Sequence, residues 1–433
     1  MNDKIYKLQL FAQPNVQTTL LNEPGNDLSP EMKTYYSKQL LEEGEPLLVH
    51  AQFGKQTPIP RGGGKRIEWR RIKSFKKALT PLTEGVTPDG GKVDVEKIEQ
   101  ELRQYGDYTT QSDLLELTAI DPIISEVTMR HSRNMFATMD TVTRNELQSG
   151  RNVFYAPSIA SDGTVTPHTM RAELDSNAKL TPDLIARVAA WLKKNNAPLI
   201  DGSYVAVIHP YMTYDLQRNP EFIDVVKYQN ASKIFNGEVG KLYGIRFVET
   251  SEALILKGAA LTAASESLKN SAQQVSSSSG SGTTTVTLAT KIAAGDHILE
   301  ASAADPVLLN VDGVEFECVG ATAGEAGSAT IKIAQPHAQI GANAVIWPGG
   351  AGKNNTAVFS LLVMGKEAFG NVKVNGEDAH LIVKQLGSGG TTDPLDQRSS
   401  IGWKSYYAAK ILQEEWICRV ECGSGLSDIS EAN

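Results

Sequence analysis

Lys65-Arg-Ile-Glu-Trp-Arg-Arg-Ile-Lys-Ser-Phe-Lys-Lys77, answered after a turn by Lys92-Val-Asp-Val-Glu-Lys-Ile-Glu-Gln-Glu101, is the stretch that decides how this chain folds. Ile67 and Trp69 alternate with Glu68 and Arg70, and Val93 and Val95 alternate with Asp94 and Glu96, which is the two-residue period of half-buried strands. The intervening Pro81, Gly85, Pro88, Asp89, Gly90 and Gly91 are turn formers, with Asp89-Gly90 suited to positive φ. The pattern predicts a long β-hairpin. Its apolar face is too narrow to make a core, so the strands need another surface, and a neighbouring copy of the chain supplies one.

Charge divides the hairpin in two. Arg61, Lys65, Arg66, Arg70, Arg71, Lys73, Lys76 and Lys77 are interrupted only by Glu68, whereas Glu84, Asp89, Asp94, Glu96, Glu99 and Glu101 outnumber Lys92 and Lys97 in the second half. Strands of opposite sign attract weakly, within a hairpin or across a subunit boundary. The acidic strand follows the basic one at once, which favours a mutually solvating pair over a nucleic-acid patch.

Downstream, Asp121-Pro122 supplies a capping carboxylate and a proline suited to the first helical position. Ile123, Ile124, Val127, Phe136, Met139, Val142 and Leu147 recur at helical spacing, and Gly150 stops the run. The spacing predicts a helix from Asp121 to Ser149, a rod of roughly 40 Å at 1.5 Å per residue.

Composition bounds the rest. The 433 residues suffice for two or three domains, and 41% hydrophobic with 21% charged residues is ordinary globular usage. A net charge of −8 argues against a surface built throughout to hold nucleic acid. Asp3, Lys4 and Lys7 break up the apolar positions of Met1 to Ala12, and no run of eighteen apolar residues exists, so neither a signal peptide nor a membrane span is expected. Cys318, Cys418 and Cys422 are odd in number. With Trp416 to Glu421 read as a strand, Cys418 and Cys422 stand roughly 13 Å apart, beyond disulfide reach, and a reducing compartment is implied.

Met1 to about Gln52 reads as an extended arm with a helical hint at Pro30 to Glu43. Leu180 to Lys257 is α/β in pattern: Thr181-Pro182 caps a helix through Leu192, Tyr204 to Ile208 is a buried strand, Leu216 to Asn230 is helical, and Gly237 to Glu249 is a strand pair turning at Tyr243-Gly244. Composition shifts near Lys257. Ala259 to Thr285 is rich in Ala, Ser and Gly, and then come short strands at Thr285–Leu288, Val307–Val311, Val314–Val319, Ala329–Ile333 and Ala344–Trp347. This reads as a small β domain inserted on an exposed loop. Beyond it, Val358–Met364 and Leu381–Lys384 are strand-like, Gly387 to Arg398 is a loop, and Ile401 to Val420 concentrates Trp403, Tyr406, Tyr407 and Trp416 for packing or an interface.

Chemistry is sparse. Gly349-Gly-Ala-Gly-Lys-Asn354 has the look of a phosphate loop, but Trp347 stands where the first glycine belongs and Asn354 lacks the magnesium-binding hydroxyl. The seven histidines have no ligand spacing, and Cys418-x-x-x-Cys422 lacks the second pair of a structural zinc site. His209-Pro210 sits at the carboxyl end of a strand, where α/β sites form, but with no nucleophile or acid pair nearby it reads as a structural hydrogen bond. No catalytic residue, cofactor or metal is predicted.

Four motifs in chain order carry a resemblance: Pro81-Leu-Thr-Glu-Gly-Val-Thr-Pro88; Gln104-Tyr-Gly-Asp-Tyr108 with Ser112-Asp113; Gly237-Glu-Val-Gly240 with Gly244-Ile-Arg-Phe-Val-Glu-Thr250; and Asp393-Pro-Leu-Asp-Gln-Arg398 with Gly402-Trp403. Together they resemble the major capsid protein family of N4-like tailed bacteriophages, over most of the chain outside the insertion. Leu8-Gln-Leu-Phe-Ala12 is also similar to the start of many capsid proteins from phages of Gram-positive bacteria.

The resemblance implies an α+β chain with the tailed-phage major capsid fold. Its parts would be an N-terminal arm (1–53), an extended hairpin loop (54–112), a peripheral domain with a long spine helix (113–179), an axial domain (180–258), the inserted β domain (259–355) and a return segment (356–433). It further implies self-assembly into hexamers and pentamers of an icosahedral shell in the virion, built in the host cytoplasm with scaffolding and portal proteins, around DNA bound without sequence specificity. Arg66, Trp69, Arg70, Arg71, Glu84, Asp94, Glu96, Trp403 and Tyr406 are the expected inter-subunit contacts. A nanocompartment shell subunit of the same fold, enclosing protein cargo, is the competing expectation; a surface β protein and an enzyme fit less of the chain.

Overall fold

The computed structural model describes residues 16–17, 49–60, 64–73, 92–118, 123–160, 162–220, 240–258, 273–274, 285–288, 290–311, 313–325, 327–334, 344–374, 380–384 and 397–426, with isolated positions between them. The chain divides into two compact units, each built from discontinuous segments. One comprises residues 1–45, 56–143 and 370–410, the other 46–55, 144–369 and 411–433.

The first unit holds the predicted hairpin. Strands Arg66–Ile72 and Val95–Glu101 run antiparallel, with Trp69 opposite Ile98, Arg71 opposite Glu96 and Ile72 opposite Val95. The turn between them lies mostly outside the described residues, as do the Pro30 to Glu43 and Asp121-Pro122 readings. The paired strands occupy the middle of the 54–112 segment. Its flanks, Lys55–Ile59 and Arg103–Ser112, are strands of a larger sheet in the order Val16–Gln17, Arg103–Ser112, Arg398–Ile411, Phe369–Val374, Lys55–Ile59, with His380–Lys384 also on Arg398–Ile411.

Beneath this sheet lies the long helix, described from Ile123 to Gln148. Met135, Met139 and the half-buried Val142, one helical face, pack on Trp403, Tyr407 and Ala409. The helix ends where Gly150 donates its amide to the Leu147 carbonyl at 3.3 Å.

The second unit is organised by a sheet in the order Lys241–Leu242, Ile245–Glu249, Tyr204–Ile208, Val358–Met364, Ile417–Cys422, Val153–Tyr155. Every residue of Tyr204–Ile208 and of Val358–Met364 is buried. Continuous apolar strands are what a sheet covered on both faces requires. On one face Tyr204, Ala206, Ile208, Leu361 and Val363 join Leu184, Ile185, Val188 and Leu192 of the helix Pro182–Lys194. On the other, Val205, Val207, Leu362 and Met364 meet Leu147, Phe369 and Ile411. Thr181 caps the helix by accepting the Leu184 amide at 3.3 Å, as its sequence predicts.

Tyr243 and Gly244 both take positive φ, 49° and 87°, and turn the predicted strand pair. One expectation is corrected. The helix expected over Leu216 to Asn230 does not start at Leu216, which belongs to the helix Pro210–Gln217: His209-Pro210 caps and starts that helix, and Pro220 disfavours helical backbone at Asn219. Helix resumes at Pro220, and the remainder to residue 239 lies almost wholly outside the described residues.

The insertion forms its own sheet of six strands, ordered Gln273–Gln274, Val345–Pro348, Val307–Val311, Val314–Thr322, Thr330–Ile333, Thr285–Thr287. Its core is separate, gathering Leu261, Val286, Leu309, Cys318, Ile331 and Ile346 among others. Asn310, fully buried, clamps it in place by donating to the carbonyls of Ala172 at 3.2 Å and Gly352 at 3.1 Å.

Candidate assembly interface

The hairpin's register sorts its side chains into two faces. Ile67, Trp69 and Arg71, with Gln100, Ile98 and Glu96 opposite, are half-buried, whereas Arg66, Glu68, Arg70 and Ile72, with Glu101, Glu99, Lys97 and Val95 opposite, are exposed. Ile67 and Trp69 pack at the hairpin's base on Ile59, Leu102, Val372 and Ala408, and the Trp69 indole donates to Thr57 Oγ1 at 3.3 Å. Trp69, expected at a neighbouring copy, is thus first a strut within its own unit.

On the exposed face Glu68 stands opposite Glu99 and Arg70 opposite Lys97, an arrangement that repels directly. Pairing along the strand and across a diagonal offsets it. Glu68 meets Arg70 at 2.6 Å and Lys97 at 3.5 Å. Lys65 reaches Glu101 at 3.1 Å, Lys73 reaches Asp94 at 3.0 Å, and Arg71 pairs with Glu96. Arg70 holds the Glu68 carboxyl below its ordinary range, Arg71 does the same for Glu96 and Lys65 for Glu101, and Asp94 raises Lys73. Lys65, Arg71 and Lys73 are thus engaged by the acidic strand, and Arg70 by Glu68 of its own strand.

Apolar exposure increases toward the hairpin's far end. Ile72, Phe75, Leu79, Val93 and Val95 are 65, 68, 83, 56 and 45% exposed. Five such side chains on one ribbon form an unsatisfied apolar surface of the kind that marks an interaction site. The sequence placed Val93 and Val95 in the strand pattern, but Ile72, Phe75 and Leu79 carry no signal as contacts until their exposure shows them uncovered.

The remaining expected contacts separate. Glu84 is exposed in the described part of the turn. Trp403 is 4% exposed, donates to Asn134 Oδ1 at 3.0 Å and is committed to its own unit. Tyr406 is half-buried with the Lys404 ammonium 5.2 Å from its ring centre.

Elsewhere, polar groups are bound up structurally. Gly349, Gly350, Gly352 and Lys353 donate their amides to Leu308 O (2.7 Å), Glu315 Oε2 (3.1 Å), Thr356 O (2.9 Å) and Leu174 O (2.7 Å), so this loop has none of these four left to cradle a phosphate. His209 Nδ1 accepts the Tyr211 amide at 3.2 Å, the structural bond its position suggested. Ser158, His168 and Asp175 come together unannounced by spacing: Ser158 donates to Asp175 at 2.7 Å and lies 2.7 Å from His168 Nε2. With its proton directed at a carboxylate, this hydroxyl is a turn lock and not an activated nucleophile. The three cysteines are free and buried, and burial pushes their thiols up. Among the described residues no cluster of His, Cys, Asp or Glu is placed to hold a metal ion, and no helix is long and apolar enough to cross a membrane.

No family model matches the chain, and no curated protein matches its sequence. Solved structures do. The capsid of cyanophage P-SCSP1u superposes with a TM-score of 0.53, covering 94% of this chain and 97% of that one at 13% identity. The mature capsid of bacteriophage PhiM1 (TM-score 0.50, 90% and 91%, 11% identity) and the capsid of Ralstonia phage GP4 (0.50, 91% and 96%, 10% identity) match similarly. The chain has the tailed-phage major capsid fold. The chain is mixed α+β, and the match runs nearly the length of both chains.

Proposed function

We propose that this chain is a major capsid protein that assembles, through interlocking arms and hairpins, into the icosahedral shell around the double-stranded DNA of a tailed phage. The observation that carries this reading is the end-to-end likeness to solved phage capsids, which leaves almost none of either chain unmatched. The exposed apolar end of the hairpin supports it, since large shells need extended contacts repeated in one geometry. The four sequence motifs support a resemblance to the N4-like phages.

In this reading residues 1–53 are the arm, 54–112 the hairpin loop, 113–179 the peripheral domain with its spine helix, 180–258 the first part of the axial domain, 259–355 an outward β domain and 356–433 the return segment. Copies associate as hexamers and pentamers, with scaffolding and portal proteins assisting in the host cytoplasm, and no catalysis is assigned. Arg66, Trp69, Arg70, Arg71, Glu84, Asp94, Glu96, Trp403 and Tyr406 remain the proposed contact set, now ranked below Ile72 and Phe75 because several are engaged within their own chain. A net negative wall lets the genome slide, which weak, salt-insensitive binding of free DNA to empty shells would support.

Expression of the chain alone and with its scaffolding protein, followed by particle mass and negative-stain imaging, tests the reading. Hollow megadalton particles or capsomer rings are expected, and a monomer that persists with scaffold present defeats it. Protein cargo in place of nucleic acid inside particles from infected cells would identify a nanocompartment.

A further inference from the structure

Asp215 fixes the point at which the chain passes Gly425 in the second unit. Its Oδ2 accepts the Ser424 hydroxyl at 2.6 Å and the Gly425 amide at 3.0 Å, and its Oδ1 lies 3.8 Å from the Lys179 ammonium. Position 425 has no room for a side chain: a Cβ there would stand 2.8 Å from Lys179 Nζ and 3.2 Å from Asp215 Oδ1. The chain is thus brought to Leu426 on the rim of a pocket of about 390 Å³, which Asp215, Lys179, Tyr214, Arg218 and Ile159 also line.

The pocket's unused hydrogen-bonding capacity is of one kind. Asp215 is 8% exposed and its oxygens are taken. The Lys179 side chain, by contrast, is 45% exposed, and the exposed Arg218 spends one N–H on the Tyr214 hydroxyl, its guanidinium 5.3 Å from that ring centre. What remains are donors on two cations, against one carboxylate already engaged. A ligand must bring acceptors and negative charge. Apolar surface adjoins them: Ile159 and Leu426 are 42 and 43% exposed, and Val165, opposite Ile159 in register, is 57% exposed.

We propose that the seven residues after Leu426, Ser427-Asp-Ile-Ser-Glu-Ala-Asn433, which lie outside the described ones, seat in this pocket as a latch, with Asp428 and Glu431 on Lys179 and Arg218 and Ile429 over Ile159 and Leu426. The stretch carries two carboxylates and no cation, so its charge is opposite to the pocket's surplus. Tethering at the rim gives it an effective concentration of about millimolar, which a free anion or another chain has to exceed. Glu431 lies five positions past Leu426 and reaches roughly 16 Å at 3.3 Å per extended residue, far enough to cross a cavity of this size. Closed, the latch holds the end of the strand Ile417–Cys422 against the helix Pro210–Gln217 within one chain, so it does not depend on the shell reading.

Benzoylphenylalanine in place of Ile429, in mixed isotopically light and heavy copies of the full chain, tests this. Irradiation of the dilute monomer is expected to give cross-links within one isotope, to peptides holding residues 158–181 or 210–219. Light–heavy products would assign the pocket to another copy's segment, and cross-links confined to other peptides would leave it without this occupant; either overturns the proposal. Amine acylation supplies a second readout. Asp428→Asn with Glu431→Gln should raise the reaction rate of Lys179 about threefold while leaving that of the exposed Lys194 unchanged. Millimolar inorganic phosphate should slow Lys179 in that variant and not in the unsubstituted chain. An unchanged Lys179 rate, or equal protection by phosphate in both chains, would mean a pocket open to any anion and would overturn the latch.

Discussion

Arg171 grips the fully buried carboxylate of Glu421 with two hydrogen bonds, Nε to Oε2 and Nη2 to Oε1, each 2.7 Å long. Arg419 adds an ion pair to the same carboxylate at 2.7 Å. The fork ties the short turn Arg171–Glu173 to the C-terminal strand, and Arg171 also donates to the Gly350 carbonyl at the insertion's exit at 3.4 Å. Glu421→Ala would leave two guanidiniums uncompensated, and a loss of about 3–5 kcal/mol in urea unfolding is expected. Arg171→Lys should lose part of this, because an ammonium cannot reproduce the fork.

A fully buried hydroxyl pair joins the long helix to the large sheet of the hairpin-bearing unit. Tyr407 donates to Thr143 Oγ1 at 2.6 Å, and Thr143 donates onward to the Met139 carbonyl at 2.9 Å. Burial pushes the Tyr407 hydroxyl from an ordinary 10.0 up to about 12. A pKa raised by folding contributes stability that is whole below the unfolded value and disappears as pH rises through the folded one. Between pH 10 and 12 the chain should therefore lose about 3 kcal/mol from this residue. Tyr407→Phe should remove that part of the alkaline slope in unfolding midpoints while costing about 1 kcal/mol at neutral pH.

The hairpin has the opposite dependence at low pH. Glu68, Glu96 and Glu101 sit below their ordinary 4.5 because Arg70, Arg71 and Lys65 bond their charged forms. Depressed carboxylates contribute above the unfolded value, and their contribution fades as pH falls through the folded one. Lys73, raised above 10.5 by Asp94, loses its share only as pH climbs past that value. All are reached by solvent, so hydrogen-exchange protection of the hairpin, corrected for intrinsic rates, should fall modestly below pH 4.5, and 1 M salt should flatten the change.

Cys318, Cys418 and Cys422 are 0, 2 and 0% exposed. Burial raises all three thiols, so none should react with an aromatic disulfide reagent at pH 8 in the folded chain. Unfolding in urea should release three equivalents. Fast reaction of any thiol in the native protein would contradict the packing described.

Folding and assembly should separate along one strand. Trp69→Asp places a charge among Ile59, Leu102 and Val372 and should cost the monomer about 2–4 kcal/mol. Phe75→Glu, at a position 68% exposed, should leave the monomer's midpoint within about 0.5 kcal/mol while suppressing particles. Equal effects of both variants on monomer stability would remove the distinction.

Local features were legible because their causes are local. Thr181-Pro182 announces a cap, Tyr204-Val-Ala-Val-Ile208 a doubly covered strand, and Tyr243-Gly244 a turn needing positive φ, and the structure has each. The helix expected over Leu216 to Asn230 was misplaced at its start, where periodicity competes with a proline: Pro220 breaks the backbone at Arg218-Asn219 that apolar spacing alone would continue.

The hairpin marks the boundary of that legibility. Alternation alone determined that Arg66–Ile72 and Val95–Glu101 are strands of opposite charge, since the period of a strand is a property of its own residues. Only tertiary packing decided that Trp69 faces its own unit while Ile72, three positions on and therefore on the opposite face, is left uncovered. Likewise, Gly106 and Gly402 were visible as motifs, but their meeting on one sheet face depends on the register of strands almost three hundred residues apart. Contacts of that kind arise from tertiary packing, and no local pattern encodes them.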